Sequence, residues 1–225
     1  MEHNVRDYFP MDDKFPEQGG TSTMDPSPIR RFLGSKIGTK MASYKYSQYK
    51  RLKFEKKRKN LRQPHVIEYF HQVDDPYSHL ASQLLKSFKD KYDVQIRCNV
   101  VSQVTDASIP EPELLRKLSI KDAQNIAPHY DLLFPNGAIP PNDKWIDLAQ
   151  TVLVAMNDEE FINNLSSIST ALWGGDLDTL KRFFEEFVSS DDMEHSMIIN
   201  ENNAKRNQLG HYSAAMFYYG DEWYW

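Results

Sequence analysis

The chain has 225 residues, 40% of them apolar, which is enough for one large domain or two small ones with a sizeable core. Its single cysteine, Cys98, excludes an internal disulfide and a cysteine-rich metal site. The net charge of −5 hides an asymmetry, because residues 30–62 hold 13 Lys and Arg against one acid, whereas the rest holds 14 basic and 31 acidic residues. The split predicts a basic arm attached to an acidic globule.

The first residues, MEHNVRDYFPMDDKFPEQGG, lack the charged-then-apolar order of a signal peptide. No apolar run approaches the ~20 residues that a membrane span needs. We therefore expect a soluble, cytoplasmic protein without a membrane partner.

Two segments precede the expected globule. Residues 1–28 are rich in Asp, Pro, Gly and Ser without any period, which predicts a disordered acidic segment. Residues 29–63 form the basic arm, and the stretch YSQYKRLKFEKKRKNLR within it predicts a basic helix without a wide apolar stripe. We interpret the arm as one that lies on the acidic remainder of its own protein or of a partner subunit. Binding to nucleic acid or to another anionic surface is the less favoured alternative.

The expected globule, residues 64–225, begins with a strand, a helix and a second strand. VIEYFHQV mixes β-branched and aromatic residues, and VQIRCNVVSQV does the same at residues 94–104. Between them, Asp75 and Pro76 are suited to the cap and the first position of a helix, which an apolar stripe continues. The order predicts a right-handed parallel unit, with the second strand covered on both faces.

From about residue 110 to 209 the pattern is helical, and Phe161, Leu165, Ile168 and Leu172 are predicted core residues of one of these helices. AAMFYYGDEWYW, residues 214–225, then predicts an aromatic hairpin with a Gly-Asp turn. Because the chain stops within the second strand, we expect an edge strand with two exposed Trp. We also expect the last helix of the domain to be absent, through truncation or because another segment supplies it.

Two stretches resemble the DsbA-like superfamily, which includes 2-hydroxychromene-2-carboxylate isomerases and kappa-class glutathione transferases. FHQVDDPYSHLASQLL is similar to the opening of that family, and GHYSAAMFYYGDEWYW is similar to its glycine, cis-proline turn and aromatic hairpin. The resemblance runs from about residue 65 to the end. It implies an α/β, thioredoxin-like sheet with a large helical insertion at about 110–209, here without the final helix.

The departures from the family pattern concern its reactive groups. The isomerases have Ser-Pro-Tyr-Ser at the end of the first strand and the disulfide oxidoreductases have Cys-Pro-x-Cys, where this chain has Asp75, Pro76, Tyr77 and Ser78. Ala215 stands at the place of the cis-proline. A cis bond without proline costs ~2.5–4 kcal/mol, so we expect a trans Ala214–Ala215 peptide.

The resemblance implies a ligand site at these positions. Asp75 and Ser78 are its candidate catalytic residues, and Pro76, Tyr77, Ala214 and Ala215 are its candidate ligand-binding residues. Glutathione is the only cofactor that the resemblance suggests, and no metal site is predicted. A small thiol or an aromatic small molecule would be the ligand.

The residues themselves leave two interpretations of the helix start open. In the first, Asp75 only caps the backbone N–H of Tyr77 or Ser78, Asp74 is solvated and His79 points outward. In the second, burial raises the pKa of one acid of the pair for acid–base work beside a small ligand. Dithiol exchange needs two sulfur atoms, so redox activity is excluded for this chain by itself, and Cys98 is interpreted as an inert core thiol.

The sequence does not decide whether the chain is an enzyme; if it is, a glutathione-dependent isomerase or transferase is expected rather than a disulfide oxidoreductase. Our leading hypothesis is a DsbA-like protein that lost disulfide chemistry and kept a small-molecule cleft. A catalytically silent interaction module is the alternative, with a protein partner or a second copy bound through the basic arm and the terminal edge strand. A third possibility is one half of a tandem thioredoxin-fold protein.

Overall fold

The computed structural model describes residues 27–103, 111–189 and 195–225. All but the last two positions of the predicted acidic segment, residues 1–28, lie outside these ranges. Contacts within the chain divide it into two compact units, Met1–Lys57 and Arg58–Trp225. Each unit is described by itself below.

Two helices occupy the predicted basic arm. Helix α1 spans Pro28–Met41, and the Ser27 hydroxyl caps it by accepting a hydrogen bond from the Arg30 N–H. Helix α2 spans Tyr44–Asn60 and contains no buried residue. Its sequence has no wide apolar stripe, which agrees with the lack of buried residues along it.

A four-stranded mixed sheet forms the centre of the second unit, in the order β2-β1-β3-β4. Strand β2 runs parallel to β1, whereas β3 and β4 are antiparallel to their neighbours. Helix α3 connects β1 to β2, so the predicted strand–helix–strand unit is confirmed. The bounds are β1 Val66–His71, α3 Pro76–Lys91, β2 Gln95–Val100, β3 Met216–Tyr219 and β4 Glu222–Tyr224.

The helical insertion stands between β2 and β3. Polar caps begin several of its helices, and Asn157 makes a reciprocal capping box with Glu160. Within the described ranges, no helix combines the length and apolarity needed to cross a membrane. The bounds are α4 Pro112–Ile126, a 3-10 helix Ala127–Tyr130, α5 Asp143–Ala155, α6 Asp158–Gly174, α7 Leu177–Phe187 and α8 His195–Gln208.

The main core lies between one face of the sheet and the helices of the insertion. The four predicted core residues of α6, Phe161, Leu165, Ile168 and Leu172, are all buried there. Full burial of each such side chain stabilises the fold by about 1.5–3 kcal/mol. A smaller cluster on the other face contains Phe70 and Ala214 and receives the half-buried Trp223.

Two expectations about the sheet are wrong. Strand β2 lies at an edge and exposes Gln95 and Arg97, so helices do not cover both of its faces fully. Only Trp225 of the two terminal tryptophans is exposed, with 80% of its surface accessible. Trp223 instead donates its indole N–H to the Leu209 carbonyl at 3.1 Å, because it covers Phe70 on the face that α8 borders.

Candidate functional site

The start of α3 has the geometry that its sequence predicts. Pro76 occupies the first helical position, and the preceding Asp75 is extended. The Asp75 carboxylate accepts a hydrogen bond from the Ser78 backbone N–H at 2.7 Å, so the predicted cap is confirmed. Burial raises the pKa of Asp75 to about 6, although hydrogen bonds from Ser78 oppose the rise.

Asp74 is not solvated, contrary to the expectation from the sequence. Its side chain is only 9% exposed and lies 3.6 Å from the Arg116 guanidinium. It also accepts a hydrogen bond from the Gln72 side-chain amide at 3.0 Å, and Arg116 donates to Gln103 at 3.0 Å. The ion pair therefore ties α4 to the start of α3.

Tyr77 makes a second link between the same two helices. Its hydroxyl donates to the Asp122 carboxylate at 2.6 Å. Partial burial, with the bond to Asp122, raises the pKa of Tyr77 well above its usual range. The rings of Tyr77 and Trp225 pack edge to face, with their centroids 5.6 Å apart. Trp225, which directly follows strand β4, therefore lies beside the start of α3.

A cleft of about 710 Å³ opens in front of the Asp75 turn. This volume lies within the range of small-molecule sites. One wall is the first part of α3 and another is α4, which presents three leucines that are each about half exposed. The loop before β3 closes the third side. The apolar lining comprises Pro76, Pro112, Leu114, Leu115, Leu118, Ala214, Met216 and Trp225.

The predicted site residues divide into two groups. Asp75, Pro76, Tyr77 and Ala214 line the cleft. Ser78 is fully buried behind the turn, where its hydroxyl accepts a hydrogen bond from the Gln72 N–H at 3.3 Å, and it is not among the lining residues. Ala215 is also buried and does not line the cleft. The roles assigned to these six residues stay predictions.

The backbone at Ala215 has an unusual conformation. Among the described residues no peptide bond is cis, so Ala214–Ala215 is trans as expected. Ala215 has a φ of 54°, in the left-handed region that non-glycine residues seldom adopt. The turn therefore holds strain at the wall of the cleft.

A buried arginine supports that wall from beneath. Arg206 of α8 is 1% exposed and donates to the carbonyls of Ser102 and Ser213. It also donates to the Asn203 side chain at 3.2 Å. Ser213 and Gln103, the residue after Ser102, both line the cleft, so Arg206 connects two of its walls.

The histidines near the Asp75 turn differ in their burial and in whether they line the cleft. His79 was expected to point outward, but it is buried, with Nδ1 2.8 Å from the Ser169 hydroxyl and Nε2 3.2 Å from the Leu133 carbonyl. His71 is buried beside Tyr69. Burial lowers the pKa of His71 to about 3 and that of His79 to about 4. Of the histidines that the structure describes, only His211 lines the cleft, where burial also lowers its pKa.

Cys98 lies outside the cleft. It is half-buried on β2 and packs against the main core. Burial is the main cause that raises the pKa of its thiol, and Asp158 adds to the rise. A thiol held in its neutral form is a poor nucleophile, which agrees with its interpretation as an inert thiol. Within the described part of the chain, no cluster of His, Cys, Asp and Glu could hold a metal ion.

Three solved structures are similar to this chain. A candidate protein disulfide isomerase from Nitrosomonas europaea matches 72% of this chain and 87% of its own length, with 15% identity and a TM-score of 0.51. A 2-hydroxychromene-2-carboxylate isomerase matches 71% of this chain and 88% of its own length, with 18% identity and a TM-score of 0.48. A probable DsbA oxidoreductase from Streptomyces coelicolor matches 68% of this chain and 79% of its own length, with 10% identity and a TM-score of 0.47. No protein-family model and no curated protein matches the sequence.

The sheet order and the first of these likenesses decide the fold. The chain has a thioredoxin-like fold. The fold is α/β, with a large helical insertion between β2 and β3, as predicted. Helix α3 begins at the edge of the cleft, and Asp75, its capping residue, stands there.

Several cleft residues were not predicted from the sequence. The sequence alone assigns no role at the site to Leu114, Leu115, Leu118, Arg116 or Trp225. The leucines carry a detectable signal, because Leu114 and Leu118 are four residues apart and, with Leu115, form a short apolar face at the beginning of a helix. No local pattern in the sequence indicates that this apolar face stays exposed.

Proposed function

We propose that this DsbA-like thioredoxin-fold protein binds a small, largely uncharged aromatic molecule in the cleft beside Asp75, without disulfide chemistry. The observation that carries the proposal is a cleft of about 710 Å³ whose lining is mostly apolar and whose reactive position holds a carboxylate. None of the described lining residues is a cysteine. The cleft therefore has binding capacity but no thiol of its own.

The apolar walls account for the preference for an aromatic ligand. Leu114, Leu115 and Leu118 expose 51–55% of their surfaces, and Trp225 exposes 80%. Covering such a surface with a ligand contributes about 25 cal/mol per Å² of apolar area. The ring of Trp225, already in contact with Tyr77, offers an aromatic surface for stacking.

The charges of the cleft make an anionic thiol the poorer ligand. The lining contains the acids Asp74, Asp75 and Glu111, and Arg116 is the cation paired with the first of them. A thiolate brought to the start of α3 meets the Asp75 carboxylate, which already occupies the capping position. Glutathione, the cofactor that the family resemblance suggests, is therefore expected to bind more weakly than a neutral aromatic molecule of similar size.

Titration calorimetry with glutathione and with neutral naphthol tests the proposal. We expect heat from naphthol and at least tenfold weaker binding of glutathione. L118E places a charge on the apolar wall at an exposed position, and we expect it to weaken naphthol binding by tenfold or more.

L84E is the matched control, because Leu84 is 45% exposed on α3 and does not line the cleft. It should bind naphthol as the unaltered protein does. Equal loss in both variants, or no heat from naphthol at millimolar concentration, would overturn the proposal. If glutathione bound more tightly than naphthol, the proposed ligand would be a small thiol and not a neutral aromatic molecule.

A further inference from the structure

The first unit carries a dense set of cations on helix α2. Between Tyr44 and Lys57 the helix has six Lys and Arg side chains and one acid, Glu55. All six basic residues are exposed, and no residue of α2 is buried. The six are Lys45, Lys50, Arg51, Lys53, Lys56 and Lys57.

Five of these six cations lie within an arc of about 140° around the helix, and Arg51 lies on the other side. An α-helix turns by about 100° per residue, which places Arg51 and Lys53 on nearly opposite sides of the axis and Lys45 between them. Lys50, Lys56 and Lys57 lie on the same side of the helix as Lys53. An interfacial membrane helix needs an apolar face opposite its charges, which α2 does not have.

We propose that helix α2 binds the phosphate backbone of a nucleic-acid duplex by lying along a groove. A groove places phosphates on both flanks of a helix within it, and the arc of cations on α2 ends in Lys45 and Lys56 on one flank and in Lys50 and Lys57 on the other. The 14 residues from Tyr44 to Lys57 extend about 21 Å, and duplex DNA of that length carries about twelve phosphate charges. Charge complementarity thus favours a partner whose anions face both edges of this arc.

The acidic residues in the rest of the chain restrict the expected contact with nucleic acid to the basic arm. Outside residues 30–62 the sequence holds 14 basic and 31 acidic residues, which repel a polyanion. Lys and Arg contacts to phosphates carry no sequence information. Binding is therefore expected to be independent of base sequence and steeply dependent on salt.

Fluorescence anisotropy with a labelled 20-base-pair DNA duplex, at 50 to 200 mM salt, tests the proposal with the whole chain. The variant K50Q/R51Q/K53Q should bind at least tenfold more weakly at 50 mM salt, with a shallower salt dependence. The variant K50R/K53R keeps the charge and should bind like the unaltered protein. Circular dichroism checks that each variant retains its helix content.

The control K117Q/K121Q/K144Q removes the same charge from three exposed lysines of the second unit. It should leave duplex binding within about twofold. Equal weakening by the two triple variants, or no duplex binding at 50 mM salt, would overturn the proposal. So would binding only to phosphatidylserine vesicles or only to polyglutamate, which stand for a membrane and for an acidic protein.

Discussion

The carboxylate of Asp75 lies 2.7 Å from the backbone nitrogen of Ser78, so the free N–H group at the start of α3 already has an anion covalently in place. Thioredoxin-like enzymes use that position to stabilise a thiolate. In this chain the carboxylate both caps the helix and, through its partial burial, has a pKa raised to about 6. The two effects have opposite consequences for stability, and they can be separated by experiment.

D75N separates them, because Asn caps helices about as well as Asp but does not titrate. The pKa of Asp75 is raised in the folded state above its unfolded value near 3.9, so between pH 4 and 6 the folded protein holds the proton more tightly. Stability contributed by the protonated acid is present below pH 4 and lost as the pH rises through 6. Relative to D75N, the unaltered protein should lose about 2 kcal/mol of unfolding free energy over this window.

Urea unfolding of both proteins at half-unit steps from pH 4 to 7.5 measures the difference. Subtracting the two curves removes the contributions of all other titrating groups. A difference that is flat with pH, or that grows in favour of Asp75 as the pH rises, would contradict the raised pKa.

Ala215 provides a second prediction, because its φ of 54° is incompatible with the φ near −65° that proline requires. Introducing proline at this position with A215P should therefore destabilise the protein by about 3 kcal/mol or more. A215G is the control, because glycine adopts the left-handed region without strain and should change stability by less than about 1 kcal/mol. Thermal unfolding of both variants measures the difference in stability. An A215P protein as stable as A215G would contradict the left-handed conformation of Ala215.

Local signals in the sequence were sufficient for the helix starts and for the strand order around α3. Asp75 and Pro76 mark the beginning of α3 because both act on the backbone within one turn. Asn157 and Glu160 do the same at α6, where the capping box needs only residues three apart. The hydrogen bonds responsible form within a few residues, so sequence patterns contain the information.

The other parts of the cleft depend on contacts between distant segments. The sequence predicts a solvated Asp74 because its ion-pair partner, Arg116, is 42 positions later and becomes a neighbour only when α4 packs beside α3. His79 was expected to point outward for the same reason. The polar face of α3 that carries His79 is covered by Ser169 of α6 and by the Phe134 ring, whose centroid is 5.3 Å from the imidazole.

Arg206 gives a third prediction, since it is a large buried side chain that bonds three acceptors. R206A removes the donors to Ser102, Asn203 and Ser213 and leaves a cavity, so it should cost about 3 kcal/mol of unfolding free energy. N207A changes the exposed neighbour and should cost less than about 0.5 kcal/mol. Urea unfolding compares them, and equal stability of the two variants would show that Arg206 does not hold the loop.

The buried imidazoles of His71 and His79 give the last prediction. Burial lowers the pKa of His71 to about 3 and that of His79 to about 4, against about 6.5 in an unfolded chain. Between pH 6.5 and 4 the unfolded chain therefore binds protons that the folded protein does not, and both residues make stability fall as the pH falls. This slope has the opposite sign to that of Asp75, which is why the D75N comparison must be made as a difference.

Nitrogen-15 NMR of the two imidazoles follows their protonation directly in the folded protein. Both rings should stay neutral from pH 7.5 to about pH 4.5, and each should keep one protonated and one unprotonated nitrogen over that range. The Nδ1 of His71 faces the Tyr69 hydroxyl at 3.0 Å, so exchange of that hydroxyl proton should also be slow. A titration midpoint between pH 6 and 7 for either ring would mean that water reaches the space behind the Asp75 turn.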